Sequence, residues 1–345
     1  MKYRYTSYTA PCPVCGNTDN ELLYKISADE AAKQFLINQT PPDKNNEMDV
    51  LSIVKKNISK LWNANSAAIV NCKKCGFGFA DPYVGGDKEF YNLISHAPNE
   101  PTAEDEPKPY WKWEFDKAYN KIADLAKTNS NLQLLEIGAS TGNFVKRVSN
   151  IIPKKNILCL EYSSIGVDSI KKAGITAQSW HFHGLASKPE FLAKFDVICL
   201  FQVLEHLDDL EATFDTFNAI IKPGGHLFIG VPNGKKIKFN ELNGALLDLP
   251  PNHIGRYNKR SFEILAGKYQ WEVAEFAIET YTPLDVMKTV MYSQSLKKAQ
   301  YPPAIRTLKY RLKEYMNIKR LRLQAQFKHK NLGECIYVHY KKALK

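Results

Sequence analysis

Apolar and polar residues follow two distinct patterns along the chain. Beyond residue 110, short apolar runs typical of buried strands take turns with segments whose apolar residues recur every three or four positions, as on one face of a helix. Strands that alternate with helices in this way favour a parallel sheet with helices on both faces. The pattern predicts strands near 132–137, 156–162, 174–178, 195–201 and 226–231, and helices near 112–128, 142–150, 165–173, 208–221 and 259–268.

The first hundred residues predict a separate, smaller domain. Two helix-like segments lie there, one starting after Ser27 as its N-cap and one over "DVLSIVKKNISKLW", where apolar residues return at helical spacing. A polar, proline-rich stretch, "APNEPTAEDEPKP", follows and indicates a boundary near residue 100. We therefore expect an N-terminal domain over 1–100 with a helical insertion, and an α/β domain over 101–345.

Four of the seven cysteines form two matching motifs, "CPVCG" and "CKKCG". Each Cys-x-x-Cys turn aims two thiolates at one metal ion, and the glycine after it lets backbone N–H groups point at sulfur. Two such turns predict a zinc site whose ligands are Cys12, Cys15, Cys72 and Cys75. Because four thiolates leave no open coordination position, this zinc is expected to be structural. A redox role is disfavoured, since two motifs are present without a thioredoxin-like pattern around them.

The turn after the first predicted strand of the α/β domain carries candidate chemistry. In "LLEIGASTGNF", Gly138 and Gly142 allow a sharp turn and close approach to a ligand, and Glu136 lies two residues before the first glycine. Ser140 stands where a dinucleotide fingerprint has its middle glycine, and the Lys-Ser/Thr of a P-loop is missing. These features favour a ligand that contains adenosine but no phosphates.

The ends of the next strands add to this pattern, because ligands of open α/β sheets bind at the carboxyl ends of the strands. Glu161 ends the following strand in "LCLEYS", where a carboxylate can accept both hydroxyls of a ribose. An acid before the glycine suits a cationic group, as in the methionine portion of S-adenosylmethionine. This cofactor therefore fits both carboxylates, with Glu161 at the ribose and Glu136 near the ammonium and sulfonium.

Four motifs in this order resemble class I S-adenosylmethionine-dependent methyltransferases: "LLEIGASTGNF", "LEYS", "FDVICLFQVLEHL" and "IIKPGGHLFIGVPN". The resemblance covers about residues 110–280 and the final strand. It implies an α/β fold with a seven-stranded Rossmann-like sheet, in which 271–279 and 334–341 are strands six and seven and the last strand is antiparallel. The cofactor-binding residues that it implies are Glu136, Gly138, Ser140, Gly142, Glu161, Tyr162, Phe201 and Gln202.

The sequence departs from the family in one stretch. After the third strand, "AQSWHFHGL" lacks the acid that often contacts the adenine amine, so Trp180 or His181 is expected to contact the adenine instead. The N-terminal stretch "CGFGFADPYVGGDKEFYNLI" also resembles the zinc module found ahead of methyltransferases in sugar-modifying and polysaccharide-related pathways.

Two histidines are candidates for catalysis. A hydroxyl or amine acceptor must lose a proton during methyl transfer, and an imidazole titrates in the useful range. His206 in "LEHL" and His253 in "LPPNHIGRYN" are expected near the site, with Arg256 and Tyr257 as further acceptor contacts. The alternative is that the Glu and His of "EHL" only organise the loop. Some relatives hold Mg²⁺ with a Glu-x-x-Glu-His pattern, but the first position here is the neutral Gln202, so we expect no catalytic metal at this loop.

Charge is concentrated at one end of the chain. Residues 284–345 contain 15 Lys and Arg against 3 Asp and Glu, or +12, while the whole chain has a net charge of +11, so the remainder sums to about −1. A basic helical insertion is predicted over 284–333. It is either a helix packed by its apolar face or a cover over the acceptor pocket that attracts an anionic or carrier-linked acceptor.

These observations favour a methyltransferase acting on a small-molecule or glycan-like acceptor. The alternative is an RNA methyltransferase in which the zinc module and the basic insertion bind the nucleic acid. A third class, a protein that binds the cofactor without turnover, is disfavoured because the motifs are intact. No apolar run approaches the roughly 18 residues of a membrane-spanning helix, and the first residues lack a signal-peptide pattern, so a cytoplasmic location is expected.

Overall fold

The computed structural model describes residues 3–36, 47–94, 112–299 and 308–344. Its N-terminal region is built on an antiparallel sheet, with strand order β1–β2–β3–β4–β10. The strands are β1 (Thr6–Thr9), β2 (Asp19–Ser27), β3 (Ser66–Cys72), β4 (Gly78–Asp81) and β10 (Gly255–Arg256). The last of these comes from far along the chain and pairs with β4. The boundary predicted near residue 100 lies outside the described residues.

Helices cover this N-terminal sheet. They are α1 (Ala28–Leu36), α2 (Glu47–Trp62) and α3 (Lys88–Ile94). The N-cap predicted at Ser27 is confirmed, because its hydroxyl accepts from the Glu30 amide at 3.2 Å and the Glu30 carboxylate accepts from the Ser27 amide at 3.0 Å. This reciprocal pair satisfies two backbone donors that the helix start leaves without partners.

The second sheet has seven strands in the order β11–β12–β9–β8–β5–β6–β7. They are β5 (Leu134–Ile137), β6 (Ile157–Leu160), β7 (Thr176–Gln178), β8 (Phe195–Phe201), β9 (Ile221–Pro232), β11 (Trp271–Ile278) and β12 (Cys335–Lys342). Strands β5 to β9 pair in parallel, whereas β12 is antiparallel to both β9 and β11. The predicted fold class is confirmed, including the antiparallel last strand.

The remaining helices pack around this sheet or follow it. They are α4 (Trp113–Thr128), α5 (Asn143–Val148), α6 (Ser164–Lys172), α7 (Leu210–Ile220), α8 (Gly234–Leu242), α9 (Lys259–Tyr269), α10 (Pro283–Ala299) and α11 (Leu308–Lys328). Helices α3 and α8 and strands β1–β4 and β10 were not predicted; α8 and β10 show no apolar period in the sequence. None of the described helices is long and apolar enough to cross a membrane.

The two regions share a hydrophobic core. On one face of the seven-stranded sheet, Phe214 and Phe217 of α7 belong to a cluster of buried residues that continues through Tyr257 to Phe77 and Phe79 of the N-terminal region. A fully buried phenylalanine stabilises the fold by about 1.5–3 kcal/mol, so this continuity ties the two regions together. The division into 1–100 and 101–345 stays a prediction.

The basic insertion forms α10 and α11, but its apolar residues are not all packed. Val286 and Val290 of α10 are buried against Phe239 and Leu332. In α11, by contrast, the apolar residues that share one helical face are exposed: Leu308, Leu312, Tyr315 and Met316. Of the two alternatives for the insertion, a helix packed by its apolar face does not describe these four residues of α11.

Candidate active site and the four-cysteine cluster

The four predicted zinc ligands converge. The Cys12 and Cys75 sulfur atoms lie 3.6 Å apart, as do those of Cys15 and Cys72, and all four lie within 4.8 Å of one another. A tetrahedral zinc ion with Zn–S bonds of about 2.3 Å requires sulfur atoms about 3.8 Å apart. The cluster therefore has the donor set and nearly the spacing of a structural zinc site.

The glycine after each cysteine pair has the backbone conformation that this turn needs. Gly16 and Gly76 have φ values of 68° and 69°, in the left-handed region that glycine adopts without a steric penalty. Their amides donate to the carbonyls of Cys12 and Cys72, each at 2.8 Å. The two turns thus have the same geometry, as their matching sequences predict.

The cofactor turn lies at the carboxyl end of β5. Gly138 has a φ of +70°, and a Cβ atom at this position would lie 2.4 Å from the Cγ2 of Val203, so only glycine fits. Gly142, with a φ of 83°, is the N-cap of α5. Glu136 is 3% exposed, and its Oε2 has no hydrogen-bond partner among the described residues. Burial and the nearby charge of Glu161 raise the pKa of Glu136 well above its usual range.

Glu161 connects this turn to the next strand. One carboxylate oxygen accepts from the Ser140 amide at 2.6 Å, and the other accepts from the Ser163 amide at 2.9 Å. Ser140 itself has a φ of 51°, a conformation that these contacts hold in place. Because a carboxylate oxygen has more than one lone pair, Glu161 keeps acceptor capacity for a ligand.

Aromatic side chains near the third strand are open to solvent. Tyr162 is 68% exposed, and its ring centroid lies 6.2 Å from that of His181. Trp180 is 40% exposed, and the Lys188 ammonium lies 3.6 Å from the centroid of its ring. These rings lie on the side of the site where the sequence predicts the adenine.

Phe201 and Gln202, at the end of β8, differ in what they offer to a ligand. The Phe201 ring is buried between Phe115 and Phe144, at centroid distances of 5.0 and 4.9 Å, so it serves as core. Gln202 has a φ of 58° and donates from its side-chain amide to Glu114 at 3.2 Å. The buried Glu114 was not among the predicted site residues, since no motif surrounds it.

The structure brings the two candidate histidines together. Their ring centroids lie 4.8 Å apart. His206 lies in a short 3₁₀ helix after β8, and its Nδ1 lies 2.6 Å from the Asn252 carbonyl oxygen. His253 Nδ1 lies 2.8 Å from a carboxylate oxygen of Asp248. Because a carbonyl or carboxylate oxygen only accepts, each ring donates from Nδ1, which leaves Nε2 as the basic nitrogen when the ring is neutral.

Glu205 completes this cluster and was not a predicted site residue. Its side chain is fully buried, and neither carboxylate oxygen has a hydrogen-bond partner among the described residues. Its Oε1 lies 3.8 Å from the His206 Nε2. The sequence held a signal, because Glu205 belongs to "EHL", but its carboxylate was considered only as a group that organises the loop.

The surroundings shift the pKa values of these groups in different directions. Burial raises the pKa of Glu205 to about 7. Burial and the neighbouring His253 lower the pKa of His206 to about 4. For His253, burial acts in the lowering direction, but the hydrogen bond and the charge of Asp248 outweigh it and raise the pKa. His253 is therefore the stronger base of the two.

Arg256 and Tyr257, the further predicted acceptor contacts, are buried beside the site: Arg256 donates to the Asp248 carbonyl at 3.2 Å and the Tyr257 hydroxyl donates to the Leu204 carbonyl at 3.3 Å. Arg256 is 7% exposed, and its guanidinium donates to both carboxylate oxygens of Glu241, at 2.6 and 3.1 Å, and to the Tyr24 hydroxyl at 3.0 Å. Tyr257 is buried against Phe77. Both residues hold the segment that carries His253 against the N-terminal sheet, and their contact with the acceptor stays a prediction.

A family model described as "Methyltransferase domain" matches residues 110–275. No curated protein matches the chain. Among solved structures, similarity is found to an S-adenosylmethionine-dependent methyltransferase from Archaeoglobus fulgidus, at 10% identity and a TM-score of 0.43, over 66% of this chain and 94% of that one. A cyclopropane synthase from Mycobacterium tuberculosis is 15% identical, with a TM-score of 0.40 over 66% of this chain and 85% of that one.

A phosphoethanolamine N-methyltransferase from Haemonchus contortus is 13% identical, with a TM-score of 0.38 over 65% of this chain and 52% of that one. Structural similarities this distant carry no argument about the acceptor. The matched family and the four motifs agree: the chain carries an S-adenosylmethionine-dependent methyltransferase domain, of which residues 110–275 match the family model.

Proposed function

We propose that this enzyme methylates a hydroxyl or amine of a small-molecule or glycan-like acceptor. The observation that carries the proposal is the pairing of His206 and His253, each held by a hydrogen bond from Nδ1, beside the loop that follows β8. The cofactor turn follows β5, which is the neighbour of β8 in the sheet. Both groups thus lie at the carboxyl edge of the parallel strands, where cofactor and acceptor can meet.

The residues of the turn fit S-adenosylmethionine. The buried Oε2 of Glu136, which has no hydrogen-bond partner within the described part of the chain, suits a cationic ligand group, and Glu161 keeps acceptor capacity for ribose hydroxyls. Gly138, Ser140 and Gly142 bend the backbone around the ligand. Of the other predicted cofactor residues, Tyr162 offers an exposed ring for the adenine, Gln202 turns the backbone after β8, and Phe201 supports that turn from the core. When bound, the cofactor supplies an electrophilic methyl group.

His253 is proposed as the base that takes the acceptor proton. Its Nδ1–H donates to Asp248, which orients the ring and stabilises its protonated form, as a carboxylate does for a catalytic histidine. His206, whose pKa is lowered to about 4, remains neutral at physiological pH and positions the acceptor as a hydrogen-bonding partner. The Tyr91 hydroxyl of α3 lies 3.2 Å from the His206 Nδ1, so the N-terminal region contacts this pair of histidines.

Zinc is proposed as the occupant of the four-cysteine cluster. Four thiolates fill a tetrahedral shell, so this ion would hold the N-terminal sheet together and take no part in the reaction. The acceptor is proposed to be anionic or carrier-linked, because the exposed helix α11 carries cations such as Arg311, Lys319 and Arg320. An RNA acceptor would use the same charges.

The proposal is tested by transfer of labelled methyl groups to a panel of nucleotide-linked sugars, free glycans and RNA, over a range of pH and salt. A His253→Asn variant should lose activity while retaining cofactor affinity, because His253 is proposed to remove the acceptor proton and not to bind the cofactor. His226→Asn, which changes a histidine paired with His339 outside the site, is the matched control and should retain activity. Full activity of His253→Asn would refute the base role, and a steep loss of acceptor affinity with salt would favour RNA.

A further inference from the structure

We infer that Glu205, His206 and His253 form a binding site for a divalent transition-metal ion, separate from the four-cysteine cluster. One ligand atom from each of these residues lies within 4.8 Å of the other two. With metal–ligand bonds of about 2.1 Å, neighbouring ligand atoms lie about 3.0–3.5 Å apart, so each side chain needs to move by less than about 1 Å. Two imidazoles and one carboxylate are a common protein ligand set for such ions.

The histidines are oriented as metal ligands are. A metal-bound histidine almost always donates its other ring N–H to a carboxylate or a backbone carbonyl. Here His206 donates from Nδ1 to the Asn252 carbonyl, and His253 donates from Nδ1 to Asp248. Both contacts fix the tautomer that carries the lone pair on Nε2, and in His206 this nitrogen lies 3.8 Å from Glu205 Oε1.

Glu205 gives the second, independent observation. A buried carboxylate normally has hydrogen-bond or charge partners, because burying it without them is costly. Glu205 is fully buried, and neither of its oxygens has a hydrogen-bond partner among the described residues. The amide of Ile254 donates to the Glu205 backbone carbonyl at 2.9 Å, which fixes the backbone of both ligand segments without using the carboxylate. A bound cation would satisfy this carboxylate.

The ligand set indicates which ions fit. Imidazole nitrogen favours zinc, iron and similar ions, and the carboxylate makes the site suitable for manganese as well. Magnesium and calcium, by contrast, prefer oxygen ligands. Three protein ligands leave coordination positions open, in contrast to the closed shell of four thiolates. The catalytic consequence rests on the proposed function: without the ion His253 is the base, whereas with the ion bound His253 would be a ligand and an acceptor hydroxyl at an open position would lose its proton to solvent more easily.

Binding is tested with Mn²⁺ on the full, zinc-loaded chain. Manganese prefers oxygen and nitrogen over thiolate ligands, so it should leave zinc in the cysteine cluster, which metal analysis verifies. Loss of the free-ion electron paramagnetic resonance signal should show one Mn²⁺ bound per chain. Wild-type protein that binds no Mn²⁺ at millimolar concentrations would overturn the inference.

Three variants locate the ion. Glu205→Gln, which replaces a buried charge with a neutral group of the same shape, should weaken Mn²⁺ binding by about 100-fold or more, as should His253→Asn. Asp248→Asn, which changes only the orienting contact, should weaken it by roughly 10- to 100-fold. His226→Asn should bind as the wild type does. If Glu205→Gln and His253→Asn, verified as folded by circular dichroism, bind Mn²⁺ as the wild type does, the ion lies elsewhere and the inference is wrong.

The metal site and the proposed function fail in different ways. If no ion binds but His253→Asn loses methyl transfer, the base role stands and the metal site is wrong. If Mn²⁺ binds to these residues but no acceptor is methylated with or without the ion, the metal site stands and the proposed acceptor class is wrong.

Discussion

The four-cysteine cluster and the Glu205–His206–His253 cluster are both made from segments distant in the sequence, yet they differ in how their polar groups are satisfied. The four cysteine sulfurs lie close to one another in two matching turns, and together they make a complete tetrahedral set. The second cluster offers three ligand atoms. Two belong to histidine rings that are oriented by hydrogen bonds to residues outside the cluster, and the third belongs to a buried carboxylate without a hydrogen-bond partner among the described residues.

This difference distinguishes a site that stabilises the fold from sites that bind a ligand. When a metal ion binds to a closed set of ligands, the free energy of binding stabilises the folded state, because the unfolded chain does not hold the ion in the same way. A buried carboxylate without partners costs stability, and such a cost persists in a fold when the group has a task at a site. Among the described residues, both oxygens of Glu205 and one oxygen of Glu136 at the cofactor turn are buried without a hydrogen-bond partner, so both groups follow the second pattern. The comparison predicts that damage to the closed set unfolds the protein and that damage to the open sites removes binding.

The largest effect is expected for Cys72→Ser. Structural zinc contributes about 10–16 kcal/mol in small zinc modules, which matches or exceeds the roughly 5–15 kcal/mol that stabilises a whole domain. Loss of one ligand should therefore release zinc and unfold the N-terminal sheet, seen as low zinc content and fast amide exchange over residues 66–81. Cys199→Ser, which changes a buried cysteine of β8, is the control and should keep its zinc. Normal zinc content in Cys72→Ser would contradict the assignment.

A smaller but still large effect is expected for Glu161→Ala on cofactor binding. Hydrogen bonds to a charged group contribute about 1.5–3 kcal/mol each, so S-adenosylmethionine affinity should fall by at least about tenfold. Isothermal titration calorimetry measures this change. Glu211→Ala, at an exposed position on α7, should bind normally. A folded Glu161→Ala protein with unchanged affinity would show that this carboxylate serves only to hold the amides of Ser140 and Ser163.

A pH-dependent effect is expected at Glu136. Its pKa is raised in the free protein, whereas a cationic ligand favours the ionised carboxylate, so cofactor binding should release a proton. Affinity should therefore increase as the pH rises through the raised pKa, by up to about tenfold per pH unit. Calorimetry in two buffers with different ionisation enthalpies counts the released proton. Glu136→Gln should release none, and equal proton release by this variant would exclude Glu136 as the source.

The smallest effect is expected for the charges of α11. Replacing Arg311, Lys319 and Arg320 with glutamine should raise the KM for an anionic acceptor several-fold and leave cofactor affinity unchanged. The difference should shrink at high salt, because exposed charges are screened within a Debye length of about 10 Å at 0.1 M. Replacement of the exposed Lys55, Lys60 and Lys73 in the N-terminal region provides a charge-matched control. Equal KM values for both triple variants would remove α11 from acceptor recognition.

Local patterns in the sequence predicted the parallel strands and most helices because apolar period and capping are local properties. They also predicted the cysteine set, since each pair lies within one turn. They did not predict strands β1–β4, or β10, which has two residues and pairs with a strand far away in the sequence. Tertiary packing decides such features. For the same reason, the sequence did not indicate that Arg256 pairs with Glu241 or that Glu205 faces His206.

Strand β10 also bears on how the chain can be cut. A fragment of residues 101–345 would keep Gly255 and Arg256 but lose β4, their backbone partner, and the hydroxyls of Tyr3 and Tyr24 that donate to Glu241. Its Arg256–Glu241 pair, now buried, would open to water, and an apolar surface around Tyr257 would be uncovered. The N-terminal and C-terminal pieces would then behave as complementing fragments, each incomplete alone and able to regain the fold only in the presence of the other.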